Sequence, residues 1–303
     1  MISVIIPLYN KEKHIKDTIN SVLVQTYKNF ELIIVNDGST DGSGKIVNEY
    51  NDSRIRIIDK VNEGVSAARN AGIENSIYSF ISLIDADDLW KATFLEEMVS
   101  FISEFPDASL YGSGYELQYQ PSLTIPANLG IPNDFKGYLD YFNKAKDNTL
   151  YTSSSVVFRK EDFHSIGGFD NTLKRGEDID LWIKFALQKK LAFFNKPLVI
   201  YKLNSSNRAS DKLTPKEYCL IWNLNRFKKY ELHNQVFKSF LDNWRLAHIS
   251  NYLNCTSTEV DDICPLLQDM DLKNRSIIWF ILKYTPKLFQ RIVYKSWIIF
   301  KQN

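Results

Sequence analysis

Residues 3–10 read Ser-Val-Ile-Ile-Pro-Leu-Tyr-Asn, a run of β-branched and apolar side chains that ends in a polar turn. This pattern recurs along the first third of the chain and predicts strands at Ser3–Ile6, Glu31–Val35, Ile55–Ile58 and Phe80–Ile84. Apolar residues between these strands have helical spacing, at Ile15, Ile19, Val22 and Leu23 and at Val65, Ala68 and Ala71. Strands that alternate with helices build a mostly parallel sheet, so the sequence predicts an α/β fold.

The composition sets limits on the class of protein. A chain of 303 residues fits one sizeable domain plus an appended region. Lys and Arg total 37 against 36 for Asp and Glu, and this balance gives no support for a nucleic-acid partner. The spacing of Cys219, Cys255 and Cys264 matches neither a zinc site nor a disulfide framework, and no signal-peptide pattern opens the chain. We therefore expect a cytoplasmic protein, without a run of about 20 apolar residues that could span a bilayer.

The second third of the chain has a weaker pattern. Residues 114–150 contain several Pro and Gly residues with little periodicity, and they predict an irregular segment over the site. Beyond it we predict a strand at Ser154–Phe158, a helix at Glu177–Leu187 and a strand at Leu198–Lys202. The expected domain spans residues 1–210, with halves of about 1–112 and 113–210.

The remaining region, residues 211–303, is predicted to be helical, basic and aromatic. After Asp271 it has no acidic side chain, and its cations are Lys273, Arg275, Lys283, Lys287, Arg291, Lys295 and Lys301. Trp279 and Trp297 accompany them. Such a segment can bind an anionic membrane surface, or it can be a helical cap packed on the domain, and both interpretations stay open.

Polar residues follow each predicted strand, where open parallel sheets bind their ligands. They are Pro7–Asn10, Asn36–Ser39, Asn62–Gly64 and Asp85–Asp88. A nucleoside diphosphate would be served here by Tyr9 as a stacking surface, Asp37 as an acceptor for the base and Arg69 as a phosphate cation. Each residue alone has an ordinary alternative, since strand-end acids often cap helices and helical Arg is usually solvated.

The cluster Asp85-Ala86-Asp87-Asp88 is more specific. Its three carboxylates repel one another, which raises their pKa values, and a bound hard cation relieves the repulsion. Mg²⁺ or Mn²⁺ suits such oxygen ligands and bridges carboxylate to substrate phosphate. The alternative is a solvated turn that caps the next helix.

These segments together resemble the family 2 glycosyltransferases. The resemblance is carried by six ordered blocks: residues 3–10, 34–42, 62–70, 83–88, the Gly-Gly-Phe-Asp of 167–170 and the Gly-Glu-Asp-Ile-Asp-Leu-Trp of 176–182. It implies a GT-A nucleotide-diphospho-sugar transferase fold, a single Rossmann-like mixed sheet flanked by helices, with a helical C-terminal extension. No motif covers the last third of the chain.

The resemblance also implies roles for individual residues. On the donor side it places Pro7, Tyr9, Asp37, Arg69, Asp85 and Asp87, with Asp85 near the ribose and Asp87 on the metal. Asp88 is a second metal candidate. On the acceptor side it places Gly168, Phe169, Glu177 and Trp182, and it makes Asp178 the general base that deprotonates the acceptor hydroxyl. The alternative for Glu177 and Asp178 is a favourable pair of acids in the first turn of a helix.

One stretch departs from the family pattern. Many relatives carry Tyr-Arg-x-His after the late strand, whereas this chain has Tyr201-Lys-Leu-Asn204. Asn204 is a poor metal ligand because its amide is neutral. The four histidines do not compensate by any recognisable spacing, so Asp87, phosphate and water would hold the cation.

The implied function is inverting transfer of a hexosyl or N-acetylhexosaminyl group from a nucleotide sugar, with UDP as the expected carrier and Mn²⁺ or Mg²⁺ as cofactor. The expected acceptor is a glycan or lipid-linked oligosaccharide of bacterial surface polysaccharide synthesis, met at the cytoplasmic face of the membrane. The competing hypothesis is a noncatalytic protein that binds sugar nucleotides or glycans and retains the fold. Residues 38–45 resemble a phosphate loop, but the spacing is one residue too long and Ile46 replaces Ser or Thr.

Overall fold

The computed structural model describes residues 1–145, 149–205, 214–253 and Met270. The chain divides into two compact units. The first comprises Met1–Tyr141 and Asn148–Leu220, and the second comprises Phe142–Asp147 and Ile221–Asn303. The functional boundary expected near residue 210 stays a prediction.

The first unit is built on a mixed sheet with the strand order β3-β2-β1-β4-β9-β6-β10-β5. Its strands are β1 (Ile2–Leu8), β2 (Phe30–Asp37), β3 (Ile55–Lys60), β4 (Phe80–Leu83), β5 (Leu89–Trp90), β6 (Leu110–Gln120), β7 (Leu123–Pro126), β8 (Lys136–Tyr138), β9 (Val156–Arg159) and β10 (Leu191–Lys202). The helices of the whole described chain are α1 (Ile15–Leu23), α2 (Ser43–Asn48), α3 (Val65–Glu74), α4 (Phe94–Glu104), α5 (Tyr141–Lys144), α6 (Lys160–Ser165), α7 (Glu177–Gln188), α8 (Lys228–Glu231) and α9 (Gln235–Leu253). This is the predicted α/β class.

The amino-terminal half of the sheet is parallel, since β1 pairs with both β2 and β4 and β2 pairs with β3. Strands β1 and β2 are buried almost throughout, as expected for apolar strands with both faces covered. Helix α3 lies close to them because Gly72 has no side chain. A Cβ at Gly72 would stand 2.3 Å from Ile5 Cγ2. The predicted strands are confirmed here, with small shifts at their ends.

The second half of the sheet differs from the prediction. Residues 114–150 are not wholly irregular, because β6 extends to Gln120 and β7 and β8 follow it. Strand β6 was missed since it carries glycines, which usually weaken a strand. At Gly112 the glycine is required, because a Cβ there would stand 2.1 Å from Tyr151 Cε1.

Two other strands begin at residues that differ from the prediction. The predicted strand Ser154–Phe158 begins only at Val156, and Ser153–Ser155 form a 3₁₀ turn that Thr152 caps. The late strand β10 starts at Leu191, seven residues before its prediction, and its register with β6 shifts around Pro197. A proline interrupts the strand pattern in sequence but is accommodated at such an irregularity.

The described part of the second unit is helical. Phe142 packs against Phe237 and Phe240, and Arg245 Nη1 lies 2.8 Å from Glu231 and 2.9 Å from Asp242. None of the described helices is long and apolar enough to cross a membrane. The basic segment from Lys273 to Lys301, with Trp279 and Trp297, lies outside the described residues.

Candidate active site

A cavity of about 840 Å³ opens in the first unit, beside the carboxyl ends of β1, β2 and β4. Its volume falls in the range of small-molecule sites. It is lined by the predicted donor residues Pro7, Tyr9, Asp37, Arg69, Asp85 and Asp87, together with Glu177 and Asp178. Parallel strands end at the same edge of a sheet, which brings side chains from distant parts of the chain together.

The loop after β1 and the end of β2 form one wall. Tyr9 is 39% exposed, so its ring is open to a stacking partner. Asp37 is buried, and its carboxylate accepts hydrogen bonds from Lys60 Nζ at 2.7 Å and from the N–H groups of Glu63 and Gly64 at 3.1 and 2.9 Å. Asp37 therefore holds the loop that enters α3. Its predicted contact with the base would use the acceptor capacity left on Oδ2.

Arg69 lies in the middle of the site, on α3. Its guanidinium donates through Nη2 to Asp85 Oδ1 at 2.8 Å and through Nη1 to Glu177 Oε1 at 2.9 Å. It also stacks over the ring of Phe169, with Cζ 5.2 Å from the centroid. The side chain is buried and both terminal nitrogens of its guanidinium are engaged by carboxylates, although it lines the cavity. Arg69 therefore links Asp85, which follows β4, to Glu177 at the start of α7. Its predicted contact with the nucleotide stays a prediction.

The three aspartates after β4 have separate environments. Asp85 is paired with Arg69, and its backbone N–H donates to Ser154 Oγ at 3.0 Å. Asp88 is buried, accepting from Ser154 Oγ at 2.6 Å and from the Lys202 N–H at 3.1 Å. Burial, followed by Asp85 and Asp87, raises the pKa of Asp88 well above its usual value. Asp88 is thus not a solvated turn residue, and each of its oxygens accepts a hydrogen bond from the protein. Its role as a second metal candidate stays a prediction.

Asp87 faces the cavity with a different partner. Lys11 Nζ lies 2.6 Å from Asp87 Oδ2, and Ser205 Oγ donates to the same oxygen at 2.5 Å. Within the described part of the chain no hydrogen bond reaches the other oxygen, Oδ1. Ser205, which follows Asn204 in the chain, therefore contacts Asp87, while Asn204 itself is exposed.

These residues fit a divalent cation only in a limited way. The described residues contain no group of three or more His, Cys, Asp or Glu that could hold a metal. Mg²⁺ in phosphate-transfer sites takes one or two carboxylates and completes its shell with phosphate and water. Asp87 Oδ1 suits that arrangement, provided that Lys11 gives up its place beside the carboxylate.

Glu177 and Asp178 open helix α7, after Gly176 in the left-handed conformation at φ 80°. Glu177 is held by Arg69, which leaves Asp178 as the acid with the freer carboxylate; its Oδ1 accepts the N–H of Ile179 at 2.8 Å. Burial and the charge of Glu177 raise the pKa of Asp178 to about 7, against the opposing effect of Arg69. A carboxylate with that pKa is suited to accept a proton near neutral pH.

Three residues predicted for the acceptor side lie elsewhere. Trp182 is fully buried, with its ring edge against Tyr151, because a large apolar ring gains more by packing than by exposure. Phe169 is buried under Arg69, and Gly168 accepts a hydrogen bond from Lys184 Nζ at 3.2 Å. None of these three lines the cavity, and they support α7 and Arg69 instead.

Several residues of the site were not found from the sequence. Lys11 directly follows the first quoted block, and its position after β1 was the available signal. Ser154 links Asp85 to Asp88 from almost 70 residues away, which no local pattern could reveal. His14 lies close enough for the charge of Asp87 to oppose the lowering of its pKa, although burial dominates and keeps that pKa below the usual value.

A mixed sheet of this order, with a cavity lined by strand-end acids, defines a GT-A glycosyltransferase architecture. The same fold is found in the crystal structure of residues 1–349 of S. aureus TarS in complex with UDP-GlcNAc, with a TM-score of 0.75 and 18% identity over 97% of this chain and 88% of that one. TarS in complex with UDP aligns with a TM-score of 0.70, also at 18% identity, over 98% of this chain and 90% of that one.

The family model described as glycosyl transferase family 2 matches residues 3–167. An uncharacterized glycosyltransferase of Rickettsia prowazekii (strain Madrid E) is 31% identical over 239 residues, which cover 77% of this chain and 74% of that protein. The putative teichuronic acid biosynthesis glycosyltransferase TuaG of Bacillus subtilis (strain 168) is 29% identical over 216 residues, 70% of this chain and 82% of TuaG. The chain belongs to glycosyl transferase family 2.

Proposed function

We propose that this glycosyltransferase moves a sugar from a UDP-sugar to a hydroxyl of its acceptor with inversion at the anomeric carbon, and that residues 1–210 form its catalytic domain. The observation that carries the proposal is the carboxylate of Asp178, which lines the cavity and whose pKa is raised to about 7. A base with that pKa is about half ionised at neutral pH and still binds a proton well.

Asp178 accepts the proton of the acceptor hydroxyl as the oxygen attacks the anomeric carbon. The bond from that carbon to the diphosphate breaks on the opposite side, and the nucleoside diphosphate leaves. Because a single displacement occurs, the configuration inverts. Arg69 keeps Glu177 paired, so the acid beside the base does not compete for the hydroxyl proton. Arg69 also limits the rise in the pKa of Asp178.

On the donor side, Tyr9 would stack on the base, Asp37 would accept its N–H, Asp85 would contact the ribose and Pro7 would line the base pocket. Asp87 would hold Mn²⁺ or Mg²⁺, and such a cation offsets negative charge on the departing diphosphate. The solved complexes of TarS with UDP-GlcNAc and UDP support UDP as the carrier and a hexosyl or N-acetylhexosaminyl group as its cargo.

The name of TuaG supports an acceptor in bacterial surface polysaccharide synthesis. We place the reaction at the cytoplasmic membrane face with a glycan or lipid-linked oligosaccharide as acceptor. The basic residues from Lys273 to Lys301 supply the sequence basis for contact with anionic lipid.

The proposal is tested with Asp178→Asn and with Asp134→Asn, a control at an exposed acid of the same unit. Nucleotide sugars are first screened by thermal shift with and without Mn²⁺, and turnover of the best binder is then measured. We expect Asp178→Asn to bind the donor normally and to lose about 10²- to 10⁴-fold in rate, since the base is absent. Asp134→Asn should behave as wild type.

The variant also has a stability readout. The folded pKa of Asp178 is about 7 against a reference of 3.8, so its contribution to stability is lost as the pH rises from about 4 to about 7. Asparagine avoids that loss, and Asp178→Asn should melt no lower than wild type at pH 8. Wild-type turnover in Asp178→Asn would remove this residue as the base. A wild-type protein that binds donors but never turns them over would favour the noncatalytic hypothesis.

A further inference from the structure

Lys202 ends strand β10 beside the aspartate cluster. Its backbone N–H donates to Asp88 Oδ1 at 3.1 Å, which fixes the main chain at this point. Lys202 lines the same cavity as Asp85 and Asp87. Further along the chain, Ser205 Oγ donates to Asp87 Oδ2 at 2.5 Å. The end of β10 therefore lies against the turn at which the proposed function places the donor diphosphate.

The side chain of Lys202 has little to neutralise its charge. It is only 10% exposed, and its ion-pair partner is Asp17 on α1, with 3.9 Å between Lys202 Nζ and Asp17 Oδ2. Asp17 is itself 66% exposed. In the part of the chain that the structure describes, Lys202 Nζ makes no hydrogen bond. So long a pair with an acid that stands mostly in water contributes little, whereas an ammonium largely removed from water needs an anion.

Two other cations line the cavity next to the aspartate cluster, and both are paired with its carboxylates. Arg69 Nη2 lies 2.8 Å from Asp85 Oδ1, and Lys11 Nζ lies 2.6 Å from Asp87 Oδ2. Lys202 differs from them because its own ion pair is long and exposed. A ligand anion that reaches Lys202 gives up less of the protein's own electrostatic energy than one that must displace Asp85 or Asp87.

The neighbouring His14 shows that the charge of Lys202 reaches the surroundings of Asp87. Burial lowers the pKa of His14, the charge of Asp87 opposes that lowering, and the charges of Lys202 and Lys11 add to it. The ammonium of Lys202 and the carboxylate of Asp87 therefore act on the same small region. A group that approaches Asp87 from the cavity comes within the field of Lys202.

We propose that Lys202 binds the diphosphate of the nucleotide-sugar donor, with its ammonium against the phosphate oxygens. The inference rests on the proposed function for the identity of this ligand. A lysine ammonium binds phosphate as a compact point charge on a flexible side chain. The position also suits the transfer step. Negative charge grows on the departing diphosphate as its bond to the anomeric carbon breaks, and a cation at that place offsets it.

The test measures binding of UDP, uridine and inorganic pyrophosphate to the full chain by isothermal titration in EDTA, for wild type, Lys202→Met, Lys202→Arg and Lys196→Met. Lys196 is the matched control, an exposed lysine of the same strand that pairs with Glu97 and does not line the cavity. We expect Lys202→Met to bind UDP and pyrophosphate about tenfold more weakly and uridine as before, because the lost contact is to phosphate. Lys202→Arg should keep most of the affinity, and Lys196→Met should match wild type.

Asp17→Asn separates this role from a structural one. If Lys202 served only as the partner of Asp17, then Asp17→Asn and Lys202→Met would weaken UDP equally. The proposal predicts that Asp17→Asn binds UDP as well as wild type or better, because the acid no longer competes with phosphate for the ammonium. Equal losses in these two variants overturn the proposal, as does a Lys202→Met variant that binds UDP like wild type.

The three ligands also distinguish the source of the diphosphate. Weaker pyrophosphate binding with unchanged UDP binding in Lys202→Met would take the donor away from Lys202 and overturn the proposal. A wild type that binds neither UDP nor pyrophosphate would overturn it too. A wild type that binds UDP through Lys202 but transfers no sugar would overturn the proposed function, and the diphosphate site would stand.

Discussion

Asp88 and Asp178 are both aspartates of one site, but their surroundings differ and so do the roles we assign to them. Both have a raised pKa for which burial is the main cause. Asp88 has both oxygens bound to protein donors, so its carboxyl is part of the scaffold. Asp178 lines the cavity beside the Arg69 bridge, where a proton can arrive from an acceptor. We therefore propose Asp178, and not Asp88, as the carboxylate that exchanges a proton with the acceptor.

The pKa of Asp178 predicts the pH dependence of the reaction. The base must be ionised to accept a proton, so kcat/KM should fall about tenfold per pH unit below about pH 7 and level off above it. Initial rates from about pH 5 to 9 measure this profile, and melting curves at each pH exclude unfolding as the cause. A rate that is independent of pH through neutrality would contradict the assignment.

Arg69 and Lys11 show that the type of a residue does not determine which side chains it pairs with. Both were visible as cations in the sequence, but only Arg69 was assigned to the nucleotide. Both side chains line the cavity, but Arg69 is buried between Asp85 and Glu177, and Lys11 is paired with Asp87. Both carboxylates that hold Arg69 follow it in the chain, Glu177 by more than a hundred residues, and no spacing rule connects them.

At the scale of elements, the contact of α3 with the sheet depends on one glycine. Gly72→Ala would normally stabilise a helix, yet its methyl group would meet Ile5 Cγ2 at 2.3 Å in a fully buried part of the core. We expect a loss of about 1 to 3 kcal/mol in the free energy of unfolding, measured with urea.

Gly137→Ala is the matched control, because a Cβ there would lie 3.8 Å from the Phe135 ring, an ordinary contact. It should change stability by less than about 0.5 kcal/mol. If Gly72→Ala were stabilising by the usual helix propensity, the close approach of α3 to β1 would be wrong.

The amino-terminal half of the sheet, which is all parallel, and the second half, which mixes parallel and antiparallel pairs, differed in how well they could be predicted. Strands β1, β2 and β4 are apolar runs, and continuous burial leaves a clear signal. Strand β6 has the sequence Leu-Tyr-Gly-Ser-Gly at its start, where glycines make room for Tyr151 and for the chain around Lys196. That requirement comes from the neighbours of the strand, so it is invisible in the strand itself.

At the scale of the whole chain, net charge and local charge give different expectations. The total of +1 predicts no general attraction to polyanions, but residues 273–303 carry only basic charges. We expect the protein to sediment with vesicles that contain anionic lipid, and to do so less at high salt and after deletion of residues 273–303. Neutral vesicles are the control. Equal sedimentation of the full and truncated proteins would refute this role.

The sequence by itself determined the α/β class, the family and the set of candidate acids from Asp37 to Asp178, because these depend on local periodicity and on short ordered motifs. The tertiary structure decided how those acids are used. It paired Asp85 and Glu177 through Arg69, buried Asp88 and brought Lys11 to Asp87. Charge and burial are properties of neighbours in space, and only the folded chain makes residues so far apart into neighbours.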